Sequence, residues 1–305
     1  MAAHAHGATE LTGHGASEKR LAVSIAITLA VMLAEAAGGY FANSLALLSD
    51  AGHMFTDTFA LGLSLIAARI AMRSPDSRAT FGYQRVGLLA AVINGGGLFI
   101  IAFVISTEAA RRLSAPPAID TSLMMAVAAL GFAANVAMVL VLRHGHKDLN
   151  IKSAWLHVVG DALSSFGVFV SAVVIRLTGW RYADPIASLA IAVIILVGGL
   201  RVVTEAAQVF LELAPKDLDV ETVAKKICDF PGVMGVHDVH LWALTKGRVM
   251  FTAHIWVKDG RLSQAQQLSD RLKEMLAGMG IDHATLELQC MECEDKGIYC
   301  ELKPG

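Results

Sequence analysis

The chain has 305 residues, 55% of them hydrophobic, with a net charge of -2 and a mean hydropathy of +0.55. That balance argues against two soluble domains and for several apolar helices with a smaller polar domain, and it leaves no basic surface for nucleic acid. Cys228, Cys290, Cys293 and Cys300 all fall in the C-terminal third, which is not the pattern of a disulfide framework.

Residues 1–16, with His4, His6 and His14 among Ala and Gly, lack the basic start and short apolar core of a cleaved signal peptide. They are expected to form a flexible, His-containing tail. Six runs then approach the roughly 20 apolar residues that cross a bilayer: Leu21 to Phe41, Leu45 to Met72, Val86 to Ser106, Leu123 to Leu142, Ala154 to Leu177 and Pro185 to Phe210. Ser17 is placed to cap the first, and Pro75, Pro116, Pro117 and Pro185 punctuate the joins.

One set of connecting loops carries Lys19, Arg20, Arg69, Arg73, Arg78, Arg85, Arg143, Lys147 and Lys152. The opposite set carries only Arg111, Arg112, Arg176 and Arg181. Short loops rich in Lys and Arg stay inside, so both termini are expected in the cytoplasm. Gly95-Gly-Gly97 and Gly198-Gly199 suit close helix packing or a kink.

From Pro215 the composition becomes that of a soluble domain. Asp219 opens an amphipathic helix with Val220, Val223, Ala224 and Ile227 at helical spacing, ending before Pro231-Gly232. Val233 to Leu244 and Val249 to Val257 read as strands joined by a turn at Lys246-Gly247. A helix from about Ser263 to Leu276 and a strand from Ala284 to Leu288 complete the order α-β-β-α-β, a small two-layer α+β domain.

The second apolar run carries Asp50, His53 and Asp57 at spacings of three and four, which share one helical face. In the fifth run, His157 and Asp161 repeat the His-x-x-x-Asp spacing. Ionisable groups at membrane depth are costly and mark a polar cavity or a partner. Two imidazoles and two carboxylates from two helices would make a complete ligand set for a borderline metal such as zinc. A metal there competes with protons for the same ligand atoms, which gives metal–proton exchange a direct chemical route. Asp50 reads equally as an outer carboxylate or as a residue of the helix start, and Glu35 and Asn135 as lining or packing groups.

Metal-type residues also gather in the soluble domain: His237, Asp238 and His240 at one strand, His254 in the next, then His283 and Glu287, followed by Cys290-x-x-Cys293. The Cys pair could chelate a metal. It lacks the surrounding βαβ pattern of a redox motif. His144-Gly-His146 is a further candidate for loose metal capture, or plain loop polarity.

Ser44-Leu-Ala-Leu-Leu-Ser-Asp-Ala-Gly-His-Met-Phe-Thr-Asp57, Phe81-Gly-Tyr-Gln-Arg85 and Gly235-Val-His-Asp-Val-His-Leu-Trp242 together resemble the signatures of the cation diffusion facilitator family. The resemblance runs from about Ser17 to Glu287 and is nearest to the bacterial zinc, cobalt and cadmium resistance branch and the animal zinc transporters. It implies a six-helix membrane domain, a ferredoxin-like, metallochaperone-like cytoplasmic domain, a homodimer, and exchange of divalent metal for protons by alternating access. It carries the transport-site role onto His53, Asp57, His157 and Asp161, with His rather than Asp at position 53 as in the zinc-preferring members. It carries a cytoplasmic metal role onto His237, His254 and Glu287, while Gln289 stands where many members have a carboxylate. Asp76 is not accompanied by the loop histidine of some members, and Arg85 and Glu212 fall at the family's charged interlock.

The expectation is thus a proton-coupled exporter of Zn2+, with Cd2+ or Co2+ as secondary substrates, in a bacterial inner membrane. Its divisions are a tail at 1–16, a transporter domain at 17–213, a cytoplasmic domain at 214–291 and a Cys-containing tail at 292–305. An intramembrane metalloenzyme would need an open coordination position and a base, and no His-Glu-x-x-His occurs. A membrane-anchored metal sensor would leave the two buried pairs without a purpose.

Overall fold

The computed structural model describes residues 7–142, 149–245, 247–290 and 297–298, the side chains of 7–22, 142 and 149–154 aside. Six long helices come first: α1 (Gly7–Ala42), α2 (Leu45–Ala71), α3 (Val86–Ser114), α4 (Thr121–Leu142), α5 (Leu149–Thr178) and α6 (Ala183–Phe210). Each holds a stretch long and apolar enough to cross a membrane. In that solvent a helix satisfies its own backbone hydrogen bonds, which is why uninterrupted apolar runs become helices.

Two ends differ from the sequence-based expectation. α1 reaches back to Gly7, ahead of the expected start at Leu21. Extending an existing helix costs far less than starting one, and the apolar span supplies the start. α3 continues past Ser106 to Ser114 because Glu108 binds two arginines on the next turn. Its carboxylate accepts from Arg111 at 2.8 and 2.9 Å and from Arg112 at 2.8 Å.

The compact unit built from residues up to Leu65 and Val92–Val202 has a core of Leu47, Leu98, Met124, Val168, Ile191 and Ile195 with small alanines between them. α4 packs along both α5 and α1. Gly38 allows the α1 approach, since a Cβ there would lie 2.7 Å from Val127 Cγ2. Gly199 likewise faces α3, where a Cβ would lie 3.1 Å from Leu98 Cβ. The start of α2 is held from the far end of the sequence. Asp184, fully buried near the start of α6, accepts from Ser44 Oγ at 2.6 Å, Leu45 N at 2.8 Å and Ala46 N at 3.2 Å. A carboxylate at a helix N-terminus satisfies free amides and favours the helix dipole.

The second unit comprises Ile66–Ala91 and the chain from Val203 onward. Its ferredoxin-like part contains α7 (Val220–Cys228), β1 (Val233–Thr245), β2 (Arg248–Val257), α8 (Leu262–Gly278) and β3 (His283–Gln289). This is the α-β-β-α-β order expected from the sequence. β1 and β2 form an antiparallel hairpin, and β3 joins β2 in parallel after the α8 crossover, giving the order β1-β2-β3. Asp219 caps α7 through Thr222 N at 2.8 Å. Val223 and Ile227 of α7 and Leu268, Leu272 and Leu276 of α8 bury one face of the sheet around Phe251 and Ile255.

This unit also takes in the α2–α3 connection. Arg85 meets Glu212 at 2.9 Å, and the Phe81 ring meets His283 edge-on at 6.4 Å. The Arg85–Glu212 pair is half exposed and by itself contributes about 0–1 kcal/mol. Within the connection, Asp76 accepts from Arg78 N, Ala79 N and Tyr83 OH at 2.8, 2.9 and 2.6 Å.

Candidate metal centre

Helical spacing places His53 and Asp57 one turn apart on α2, and His157 and Asp161 one turn apart on α5. The structure brings all four together. His53 Nε2 lies 3.6 Å from Asp57 Oδ2 and 3.9 Å from Asp161 Oδ1. His157 Nε2 lies 3.4 Å from Asp57 Oδ2 and 3.7 Å from Asp161 Oδ2. The two rings stand 6.5 Å apart at 61°.

These separations are too long for good hydrogen bonds, which require about 2.7–3.2 Å. They match the edges of a metal tetrahedron instead: ligands about 2.1 Å from zinc stand about 3.4 Å from each other. The tightest subset is His53, Asp57 and Asp161, whose ligand atoms lie within 4.8 Å of one another. His157 closes the set by reaching both carboxylates. Asp161 is 3% exposed and His157 is 46% exposed, so the centre is sealed at the first and open at the second. His53 Nδ1, Asp57 Oδ2 and Asp161 Oδ1 are buried without a hydrogen bond. Buried polar atoms left unpaired cost about 1–3 kcal/mol each, a cost that a cation beside His53 Nε2 would remove at the two carboxylate oxygens.

Asp50, one turn before His53, finds its hydrogen bonds outside this set. It accepts from Ser164 Oγ and, at 2.9 Å, from Ser165 Oγ, both on α5. Glu35 and Asn135 also reach Ser165, at 3.4 and 3.3 Å. The sequence drew attention to Asp50, Glu35 and Asn135 singly; the two serines that join them carried no signal, because serine is ordinary in membrane helices.

A second cluster forms on the sheet of the ferredoxin-like domain. His237, His254 and Glu287 occupy directly opposed positions on β1, β2 and β3 and therefore share a face. The His237 and His254 rings are 5.2 Å apart, and His254 Nε2 is 3.4 Å from Glu287 Oε2. Asp238 joins them through a bulge in β1 that gives it a φ of 49°. Its carboxylate lies 3.4 Å from His254 Nε2 and 2.9 Å from His240 Nε2. Gln289 donates to Glu287 Oε1 at 3.0 Å, a carboxamide among the acidic groups. His283 lies apart, opposite Met250. Cys290 is exposed and unbridged; its expected partner Cys293, like Cys300, His4, His6, His144, His146 and the side chain of His14, lies outside the described residues.

Six membrane-length helices, followed by a ferredoxin-like domain, define a multi-pass membrane protein, and three of its side chains among the helices are placed so that they could hold a metal ion. The model of the cation efflux transmembrane domain matches residues 21–211, and that of the cation efflux protein cytoplasmic domain matches residues 215–283. The chain belongs to the cation efflux, or cation diffusion facilitator, family, whose members are transporters and not enzymes. It is 35% identical over 294 residues to the cadmium, cobalt and zinc/H(+)-K(+) antiporter of Bacillus subtilis, covering 95% of this chain and 94% of that protein. It is 39% identical over 282 residues to the metal cation efflux system protein CzcD of Cupriavidus metallidurans, covering 92% and 89%. To the zinc transporter ZitB of Escherichia coli it is 37% identical over 311 residues, covering 99% and 96%.

Proposed function

We propose that this protein exports Zn2+ from the cytoplasm in exchange for protons, with Cd2+ and Co2+ as secondary substrates, by alternating access around His53, Asp57, His157 and Asp161. The observation that carries this is the set of four imidazole–carboxylate separations, 3.4 to 3.9 Å, two within the helices and two between α2 and α5. The names of the relatives support zinc, cadmium and cobalt as cargo, and the Bacillus name supports coupling to protons. Two nitrogen donors favour zinc over hard cations, which prefer oxygen alone.

In this reading, metal from the cytoplasm binds neutral imidazoles and ionised carboxylates. The bundle turns outward, and external protons take the ligand atoms and release the metal. Both termini face the cytoplasm of a bacterial inner membrane, as the loop charges favour. The protein works as a homodimer through its cytoplasmic domain, whose His237, His254 and Glu287, joined by Asp238, bind further metal and bias the transporter toward one state.

Zinc flux into liposomes of set internal pH tests this. Wild type should show flux driven by the pH gradient, and Asp57→Ala and Asp161→Ala should abolish it. Retained gradient-driven flux in both variants would overturn the site.

A further inference from the structure

One turn from the metal centre lies a cluster that metal binding leaves unexplained. Glu35 of α1 and Asp50 of α2 are both buried, at 0% and 1% exposure, and neither meets a cationic side chain in any ion pair among the described residues. They converge on one hydroxyl, Ser165 Oγ of α5, at 3.4 Å from Glu35 Oε1 and 2.9 Å from Asp50 Oδ2.

A serine hydroxyl has one hydrogen to give and two lone pairs to receive. The shorter contact assigns that hydrogen to Asp50, which also accepts from Ser164. One lone pair receives Asn135 Nδ2 at 3.3 Å. Glu35 Oε1, 3.4 Å from the same hydroxyl, is left with only a weak share of that hydrogen, too little to offset a buried negative charge. Glu35 Oε2 has no hydrogen-bond partner, as suits a neutral acid better than a carboxylate in an apolar wall. The position is closely built. A Cβ on Gly131 of α4 would collide with Glu35 Oε1, so glycine there makes the room the acid occupies.

The titratable groups whose charge acts on Glu35 are Asp50 from α2 and Asp161 from α5; α4, which packs on α1, has none in its sequence. Asp161 belongs to the metal centre and Asp50 adjoins it, so a divalent charge placed there falls on Glu35 through a low-dielectric path. We infer that Glu35 is a proton-carrying residue, separate from the metal ligands, which holds a proton while the four-residue site lacks metal and releases it when a divalent cation binds there. In that step the O–H bond of the acid breaks, the carboxylate keeps the electron pair, and the proton passes to water on the side to which the site is open. Ser165 links the acid to Asp50, so the same displacement of α5 against α2 that opens the metal site also breaks the acid's contact.

This inference rests on the antiport reading, and its test separates the two. Full-length protein in liposomes is followed for zinc flux and luminal pH together. Wild-type zinc flux indifferent to pH would overturn the antiport reading itself. Where wild type moves protons against zinc, Glu35→Gln, which keeps the shape but cannot carry a proton, should move about one proton fewer per zinc. A wild-type ratio in that variant overturns the role of Glu35 alone. Should the variant fail to fold or transport, wild-type protein with 13C-labelled glutamate gives the answer by infrared difference spectroscopy. Adding zinc should remove a labelled carboxylic-acid C=O band, and its persistence or absence from the metal-free spectrum overturns the inference.

Discussion

Asp184 and Ser44 are 140 residues apart, yet the carboxylate of the first accepts the hydroxyl of the second at 2.6 Å and two amides of the same helix start. One residue of α6 therefore fixes where α2 begins, and with it the height of His53 and Asp57. Hydrogen bonds to a charged acceptor contribute about 1.5–3 kcal/mol, and here the donors are buried and have no water to replace it. Asp184→Ala should lower stability by about 2–3 kcal/mol, read as a fall in melting temperature in detergent. A variant melting like wild type would remove this clamp from the account.

His53 supplies a nitrogen that faces two carboxylates, so His53→Asp turns a two-nitrogen site into a one-nitrogen site. Zinc should bind at least about tenfold more weakly, about 1.4 kcal/mol, while the preference over cations favouring oxygen ligands narrows. Competition flux between Zn2+, Cd2+ and Co2+ reads this directly. An unchanged order would place the selectivity elsewhere.

His254 sits at the middle of the sheet cluster, touched by His237, Asp238 and Glu287. His254→Ala should remove high-affinity zinc from the soluble domain, weakening it at least about tenfold, and leave the helical centre's binding in place. Calorimetric titration of the whole protein should show fewer zinc ions per chain, and an undiminished count would contradict the site.

In the α2–α3 connection, the Tyr83 hydroxyl, then the amides of Ala79 and Arg78, hold the Asp76 carboxyl below its ordinary range. Because the folded value is depressed, the contribution to stability is present above the unfolded value and lost as pH falls through the folded one. Tyr83→Phe removes the largest cause. The Asp76 titration, followed by NMR of 13C-labelled aspartate, should then move upward toward an unperturbed carboxylate.

How much was legible in the sequence follows from what each feature depends on. The apolar runs located all six helices, with the start of α1 and the end of α3 lying well beyond them, because in a bilayer length and apolarity decide the structure. The interiors of β1, β2 and β3 followed from alternation. The end of α3 did not, since Glu108, Arg111 and Arg112 look like loop polarity until their pairing is seen. The paired His-x-x-x-Asp spacing exposed the candidate ligands because helical geometry alone aligns them. Asp184 went unnoticed beside Pro185, Asp238 was one polar residue among several, and Ser164 and Ser165 had nothing to distinguish them. Their significance comes from partners distant in sequence, which no local pattern reports.

Each helix of the candidate centre contributes one imidazole and one carboxylate, so the ligand set divides evenly along the line between α2 and α5. While the helices stay together, the second pair acts on a metal held by the first at a very high effective concentration. If they part by a few ångströms, that concentration falls to nothing and each helix keeps only a two-donor fragment. Affinity is then a switched quantity rather than a graded one. The cation can be held tightly in one conformation and shed in the next without any single ligand having to become a poor one.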